Sequence, residues 1–191
     1  IVLNFMELLI GEFYNSSSLI NSNGKLIGVS RLVHIPQIED YYAQTYFTPG
    51  CGDFLVYQTA KVRVGILISF DRHFPEASRA LALQDAELVL IPGFLTNKQS
   101  ISVYHAELQA MAYQNGYFVG MCNRVGKEGD ISFIGRSLIV NPEGKIIAEA
   151  SDEEGLLITE IDLDEVKMER LRRPYLKLRR PDEYYRIIRQ A

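Results

Sequence analysis

The chain has 191 residues, of which 47% are hydrophobic and 23% charged, and its formal net charge is −4. A chain of this size can bury a substantial core and fits one domain. Its charges are of mixed sign, so they give no electrostatic case for binding nucleic acid or a membrane surface. Its apolar runs have the length of strands rather than of bilayer spans. Two cysteines, Cys51 and Cys122, make no disulfide framework, and no signal-peptide pattern is present, so we expect a cytoplasmic protein.

The first part of the chain predicts strands joined by one tight turn and one loop. The predicted segments are strands at 1–5, 14–21 and 25–30, a surface loop with one helical turn at 37–52, and a strand at 53–58. Ser22-Asn23-Gly24 separates the second and third strands, and Asn-Gly is the strongest short hairpin signal. The loop is the usual place for site residues carried by a rigid scaffold.

A strand–helix–strand unit follows between Val62 and Gly93. Residues 62–68 form an apolar run rich in β-branched side chains, and Phe74-Pro75-Glu76 is typical of a helix start. A second apolar strand, 87–91, ends at Pro92-Gly93. Functional sites of such units lie at the carboxyl ends of the strands, which places Ser69, Phe70 and Asp71 at a candidate site.

The second half of the chain continues the alternation of helices and strands. Its predicted elements are a helix at 102–115, a buried strand at 117–122, a hairpin of 133–141 and 145–150 around Pro142-Glu143-Gly144, a strand at 156–161, a helix at 164–171 and a tail at 172–191. The hairpin sequence SLIVNPEGKII echoes the earlier SLINSNGKLI. The echo is either a chance likeness of two hairpins or the sign of two similar halves, each giving a sheet to a layered α/β sandwich.

Several motifs in chain order resemble the nitrilase superfamily of carbon–nitrogen hydrolases. The stretch from Gly65 to Glu76 is similar to its nucleophile pattern, G-x-x-x-C-x-D-x-x-[FW]-P-E, with Ser69 at the cysteine position. Further matches are Asn23-Gly24-Lys25, Gly28, Arg31 to Pro36, Tyr46 to Gly50, Asn123 to Gly126, Phe133, Gly135, Ser137, Arg179 to Pro181 and Tyr184. Phe74-Pro75-Glu76 and His34-Ile35-Pro36 are most like the branch of N-carbamoyl-amine amidohydrolases.

The resemblance carries expectations for the whole chain. It implies an α/β four-layer αββα sandwich in which residues 1–191 form one domain that lacks the family's opening strand–helix–strand portion. It also implies a homo-oligomer with the tail 172–191 in the interface, a small-molecule amide or N-carbamoyl substrate, and no cofactor. The scattered histidines and cysteines have no metal-ligand spacing, so we predict no metal site.

The family hydrolyses its substrates with a Cys, a Glu and a Lys, and a second Glu lies close by. Carried over by position, the Cys is Ser69, the Lys is Leu32 and the second Glu is Ala43, while the first Glu would lie in the missing portion. A serine needs an adjacent base, and the loss of one oxyanion donor costs about 3–4 kcal/mol of barrier. We therefore predict a degenerate, weak or inactive site. It would keep a pocket with Phe70, Asp71, Glu76 and Asn123 as substrate-binding residues, and would serve ligand binding or partner an active subunit.

Other assignments remain open at this point. The main alternative is a working amidase or N-carbamoyl amidohydrolase that uses Ser69 or has a native cysteine there. A serine hydrolase would need His73 or His105 within reach of Ser69 and an acid to orient it. We expect His34 to make a structural hydrogen bond in its loop, and Cys122 to be a buried structural thiol rather than a substitute nucleophile.

Overall fold

The computed structural model describes residues 1–38, 41–52 and 54–187. Its first three strands form an antiparallel sheet in the order β1-β2-β3, built from β1 (Val2–Leu9), β2 (Glu12–Ile20) and β3 (Leu26–Arg31). The predicted Asn-Gly hairpin is present, since the Asn21 side chain accepts hydrogen bonds from the backbone N–H groups of Asn23 and Lys25. The first strand is longer than predicted and ends in a tight turn at Ile10-Gly11, where both residues have positive φ.

The predicted loop carries two very short strands, β4 (Gln37–Ile38) and β5 (Tyr41–Tyr42), and one 3-10 turn, Ala43–Thr45. Glu39, Asp40 and Asp53, which belong to the predicted loop and to the strand after it, lie outside the described residues, as do residues 188–191 of the tail.

The remaining elements follow in chain order. They are β6 (Val56–Gln58), β7 (Arg63–Ile66), α1 (Pro75–Leu83), β8 (Leu88–Pro92), α2 (Ile101–Asn115), β9 (Phe118–Cys122), β10 (Val125–Glu128), β11 (Ile131–Ile134), β12 (Leu138–Val140), β13 (Ile146–Glu149) and α3 (Asp164–Arg172). Six of the strands form one sheet in the order β13-β12-β9-β8-β7-β6, with β7, β8 and β9 parallel. The predicted strand–helix–strand unit is thus confirmed as β7, α1 and β8.

Alternate residues of the six-stranded sheet enter two different apolar clusters, as the period of a strand requires. Val89, Ile91 and Val119 pack with Leu81 and Leu108, so α1 and α2 cover one face. Val64 and Ile66 of β7 and Ile68 pack on the other face with Leu19, Leu32 and Ile35, which connects this sheet to the three-stranded one. The α/β sandwich expected from the sequence is confirmed, and the described residues supply a helix layer and two sheets. No helix in the described ranges is both long and apolar enough to cross a bilayer.

Two predicted strands differ from the structure. The predicted strand 133–141 is divided into β11 and β12, because Gly135 and Arg136 both have a left-handed backbone, with φ of 64° and 61°. The predicted strand 156–161 has no regular secondary structure and no strand partner among the described residues. An apolar alternation forms a strand only beside another strand. Without such a neighbour, Leu156 and Ile158 are 85% and 78% exposed.

Candidate functional site

Ser69 stands at a sharp turn directly after β7, at the carboxyl end of the parallel strands. It begins the 3-10 segment Ser69–His73 and has a φ of 44°, which costs a non-glycine residue conformational energy. Arg72 stabilises this turn because its Nη1 donates a hydrogen bond to the Ser69 carbonyl oxygen at 3.0 Å. Gly93 after β8 leaves room for it, since a Cβ there would lie 3.1 Å from the Ser69 Cα.

A cavity of about 960 Å³ opens beside this turn. Ser69, Cys122 and Asn123 line it where the parallel strands end, and residues 155–157 and the β1 residues Val2 and Asn4 line its outer part. Cys122 is exposed, so the expectation of a buried structural thiol is wrong. The reason is its place as the last residue of β9, where the sheet stops and the cavity begins.

Asp71 does not line this cavity but connects the Ser69 turn to the loop after β3. It is 1% exposed and accepts hydrogen bonds from the backbone N–H of Val33 at 3.2 Å and of His34 at 2.9 Å. The ring Nδ1 of His34 lies 2.8 Å from the same carboxylate, which is the structural contact expected for this histidine. Burial raises the pKa of Asp71, and the hydrogen bonds from His34 oppose that rise.

Leu32 and Ala43, at the family's Lys and second Glu positions, meet in one apolar cluster. Leu32 is 3% exposed and packs with Ile68, the residue directly before Ser69, while Ala43 and Phe70 pack against the same cluster. The structure therefore places positions 32 and 43 in the same apolar cluster as Ile68, directly before the turn at Ser69. Neither residue lines the cavity that Ser69 lines.

Asn123 is held at the cavity wall by neighbours from α2 and β12. Its Nδ2 donates to the Tyr104 hydroxyl at 3.1 Å, and its backbone N–H donates to the Ser137 hydroxyl at 2.9 Å. Burial raises the pKa of Tyr104, so this phenol stays neutral and donates to the carbonyl oxygen of Arg136. The Asn123 Oδ1 is buried and has no hydrogen-bond partner among the described residues. Glu76, in contrast, is exposed in the first turn of α1 and does not line the cavity.

The three histidines pair with carboxylates. His34 contacts Asp71, His73 Nδ1 lies 2.5 Å from Glu107, and His105 Nε2 lies 3.1 Å from Glu149. None of them hydrogen-bonds to the Ser69 hydroxyl within the described part of the chain. In those same ranges, no group of three or more His, Cys, Asp or Glu residues is arranged to hold a metal ion.

One cluster was missed from the sequence. Arg72 is 4% exposed, and its Nε donates to Glu107 of α2 at 3.0 Å, while Glu107 also contacts His73. Burial opposes the ionisation of Glu107, but His73 and Arg72 outweigh it and lower the pKa of this carboxyl. The signal available in the sequence was a carboxylate, Glu107, between the apolar residues Ala106 and Leu108 of the predicted helix 102–115.

Comparison with known proteins agrees with this fold. The family described as "Carbon-nitrogen hydrolase" matches residues 1–170, and the chain belongs to this family. It is 35% identical to the N-carbamoylputrescine amidase of Solanum tuberosum over 199 aligned positions, which cover 96% of this chain and 66% of the potato protein.

Solved structures in this family are similar as well. The carbon–nitrogen hydrolase of Helicobacter pylori G27 superimposes with a TM-score of 0.93 at 30% identity, covering 100% of this chain and 71% of that one. A mutant amidase from Nesterenkonia sp. AN1, with acrylamide added at its active-site cysteine, has a TM-score of 0.83 at 27% identity over 98% of this chain and 68% of its own. The chain thus spans roughly two thirds of the length of these relatives.

Proposed function

We propose that this carbon–nitrogen hydrolase family protein has a degenerate catalytic site. It binds small amide or N-carbamoyl compounds in the cavity at Ser69 and hydrolyses them weakly or not at all. The observation that supports this most is the apolar cluster of Leu32 and Ala43 beside Ile68, where the resemblance places a lysine and a glutamate. The proposal keeps the expectations of a cytoplasmic homo-oligomer and of a role in binding a ligand or partnering an active subunit.

The missing functional groups are those that amide hydrolysis needs most. Attack on an amide requires an activated nucleophile and donors for the oxyanion. Ser69 has a weakly acidic hydroxyl, and among the described residues no base hydrogen-bonds to it. Leu32 has no donor, and the loss of one such donor costs about 3–4 kcal/mol of barrier. Since members of a catalytic unit act together, these losses are not summed, but the nucleophile alone accounts for most of the activity.

The cavity still has features that suit a small amide. Its wall includes the apolar side chains of Ile68, Leu90 and Met121, which belong to the parallel strands or follow β7. Ser69 and Asn123 also line it and supply polar groups among the apolar ones. A concave, mostly apolar site with a few polar groups is the usual form of a small-molecule site.

The alternative of a working serine amidase finds less support. It requires a base within about 3 Å of the Ser69 hydroxyl, and His73 and His105 are instead paired with Glu107 and Glu149. Cys122 lines the same cavity but has no hydrogen-bonded base among the described residues.

The test is ammonia release from N-carbamoylputrescine and from a simple aliphatic amide. We expect no turnover by the unaltered protein, while calorimetry detects binding of at least one of these compounds. Ammonia release at a rate of about 1 s⁻¹ or more, as is typical of a working enzyme, that Ser69→Ala abolishes would overturn the proposal of a degenerate site. Absence of binding for both compound classes would overturn the proposed ligand.

A second comparison uses a variant that carries Ser69→Cys, Leu32→Lys and Ala43→Glu together. If these three positions are what the site has lost, the triple variant should gain turnover above that of Ser69→Cys alone. Because Leu32→Lys is expected to destabilise the apolar cluster, folding of both variants is checked by circular dichroism. Equal, undetectable rates for two folded variants would show that more than these side chains separates the chain from an active hydrolase.

A further inference from the structure

Two opposite charges from different elements meet behind the Ser69 turn. Arg72 Nη1 donates to the Ser69 carbonyl oxygen at 3.0 Å, and Arg72 Nε donates to Glu107 Oε2 at 3.0 Å. Because Arg72 is 4% exposed, solvent screens this contact only weakly. The guanidinium therefore links the turn that carries residue 69 to the middle of α2.

We propose that Arg72 is the positioning residue of Ser69. It holds the strained turn and supplies a positive potential at the head of the cavity, while Glu107 orients the guanidinium and reduces that potential. The inference rests on the proposed function in one respect, which is that the cavity at Ser69 is the ligand site. The nucleophile pattern of the family does not assign this role, because Arg72 falls on one of its unspecified positions.

The geometry carries both parts of this role. The Arg72 guanidinium contacts the carbonyl oxygen of residue 69 itself, so its charge acts close to the main chain that carries this side chain. The left-handed backbone of Ser69, with φ of 44°, needs stabilising contacts to persist, and the hydrogen bond from Arg72 is one of them. A nearby cation favours the anionic form of a neighbouring group and a nearby anion disfavours it, which gives Arg72 and Glu107 opposite effects.

Other charged and titratable groups face this region and enter the interpretation. On the turn itself they are Asp71 and His73, on α2 they are Tyr104 and Glu107, and around the cavity they are Cys122, Arg124, Glu153 and Glu154. Arg124, Glu153 and Glu154 are exposed, so water screens them more than it screens Arg72. His73 shares Glu107 with Arg72. Each measurement is therefore repeated with His73→Gln, so that the effect of this histidine can be separated from that of Arg72.

The test places a titratable reporter at residue 69. Ser69→Cys is made with Cys51→Ser and Cys122→Ser, because both natural thiols are exposed and would react too. The rate of alkylation by iodoacetamide is then measured from pH 6 to 10. In that reaction the thiolate sulfur forms a bond to carbon and iodide leaves, so the rate follows the thiolate fraction.

Arg72→Met and Glu107→Gln should move the thiol pKa in opposite directions. Without the cation we expect the pKa of Cys at position 69 to rise and alkylation at pH 7 to slow by about three- to tenfold. Without the anion we expect the pKa to fall and alkylation at pH 7 to quicken by a similar factor. Arg72→Lys, which keeps the charge but not the planar fork, should give a smaller rise than Arg72→Met.

Arg79→Met is the matched control. Arg79 of α1, like Arg72, donates a hydrogen bond to a residue of α2, but its acceptor is the Gln114 carbonyl oxygen at the far end of that helix. We therefore expect Arg79→Met to cause no shift in the thiol pKa. The proposal would be overturned if Arg72→Met and Glu107→Gln shifted the thiol pKa in the same direction or not at all. Loss of packing would affect both variants alike, whereas loss of a charge affects them in opposite directions. If Arg72→Met fails to fold, Arg72→Lys replaces it in the comparison with Glu107→Gln, because these two variants are also expected to shift the thiol pKa in opposite directions. Turnover by the unaltered protein would contradict the proposed function but would leave these shifts unaffected.

Discussion

Asp71 accepts two hydrogen bonds from His34, one from the backbone N–H at 2.9 Å and one from the ring Nδ1 at 2.8 Å. Asp71 lies two residues after Ser69, and His34 lies two residues after Leu32. The His34 ring also stacks on Phe74, with centroids 3.5 Å apart, so this loop is fixed to the turn by polar and apolar contacts together. The contact places the loop that carries Leu32 against the turn that begins at Ser69.

Asp71→Asn should lower the free energy of unfolding by about 1–3 kcal/mol, because an amide cannot accept all three hydrogen bonds and leaves buried donors unsatisfied. Urea denaturation at pH 7 measures the change. Asp152→Asn, at an exposed position, is the control and should change stability by less than about 0.5 kcal/mol. Equal stability of both variants would show that the Asp71–His34 contact does not hold this loop.

Leu32→Lys should destabilise the protein by several kcal/mol, since the ammonium would enter an apolar cluster at a position that is 3% exposed. Leu32→Met conserves volume and should cost less than about 1.5 kcal/mol. Comparing the two by urea denaturation separates charge burial from the loss of packing. If Leu32→Lys is as stable as Leu32→Met, position 32 has access to water or to an anion, and the description of an apolar cluster there is wrong.

Gly65 lets α1 lie directly on β7, because a Cβ at this position would stand 2.8 Å from Leu81 Cδ1. Gly65→Ala should cost about 1–3 kcal/mol through overpacking in the core. In a Leu81→Ala background the same change should cost less, because the space has been vacated. A double-mutant cycle by urea denaturation gives the coupling, and additive effects would contradict direct contact.

Glu7 forms a two-pronged ion pair with Arg31, at 2.8 and 2.9 Å, across the three-stranded sheet. The hydrogen bond from Arg31 lowers the pKa of Glu7, so its folded-state pKa lies below its unfolded one. Its contribution to stability is therefore present above the unfolded-state pKa of about 4.3 and is lost as pH falls through the folded-state pKa. Glu7→Gln should flatten the acid side of a stability–pH curve from pH 7 to 3, whereas Glu160→Gln, at an exposed position, should leave its slope unchanged.

The described part of the tail exposes large apolar side chains, with Leu178 at 71% and Ile187 at 60% exposure, in keeping with the proposed interface between copies. We expect light scattering after size exclusion to give a dimer or larger species. Leu178→Glu with Ile187→Glu should convert it to monomer. Leu26→Glu, an exposed position on the three-stranded sheet, should leave the assembly unchanged. A monomeric unaltered protein would contradict the proposal.

Local sequence patterns predicted the elements that their own residues can specify. The run after Lys61 and the Pro75 helix start each act over a few residues, and β7 and α1 follow them closely. The segment at 156–161 shows the limit of such patterns. Its alternation is that of a strand, but strand formation depends on a neighbour that no local pattern encodes.

The sequence alone determined the family, the layered fold and the absence of a cysteine, a lysine and a glutamate at positions 69, 32 and 43, because these are properties of residue identity and order. Only the tertiary structure decided what replaces those groups: Leu32 and Ala43 share an apolar cluster, and Arg72 joins Glu107 behind Ser69. Arg72 and Glu107 are 35 residues apart in the chain, and α2 must pack against the end of the sheet before their charges can meet. Electrostatic and packing contacts depend on distance in space, and the packing of helices on the sheet sets that distance.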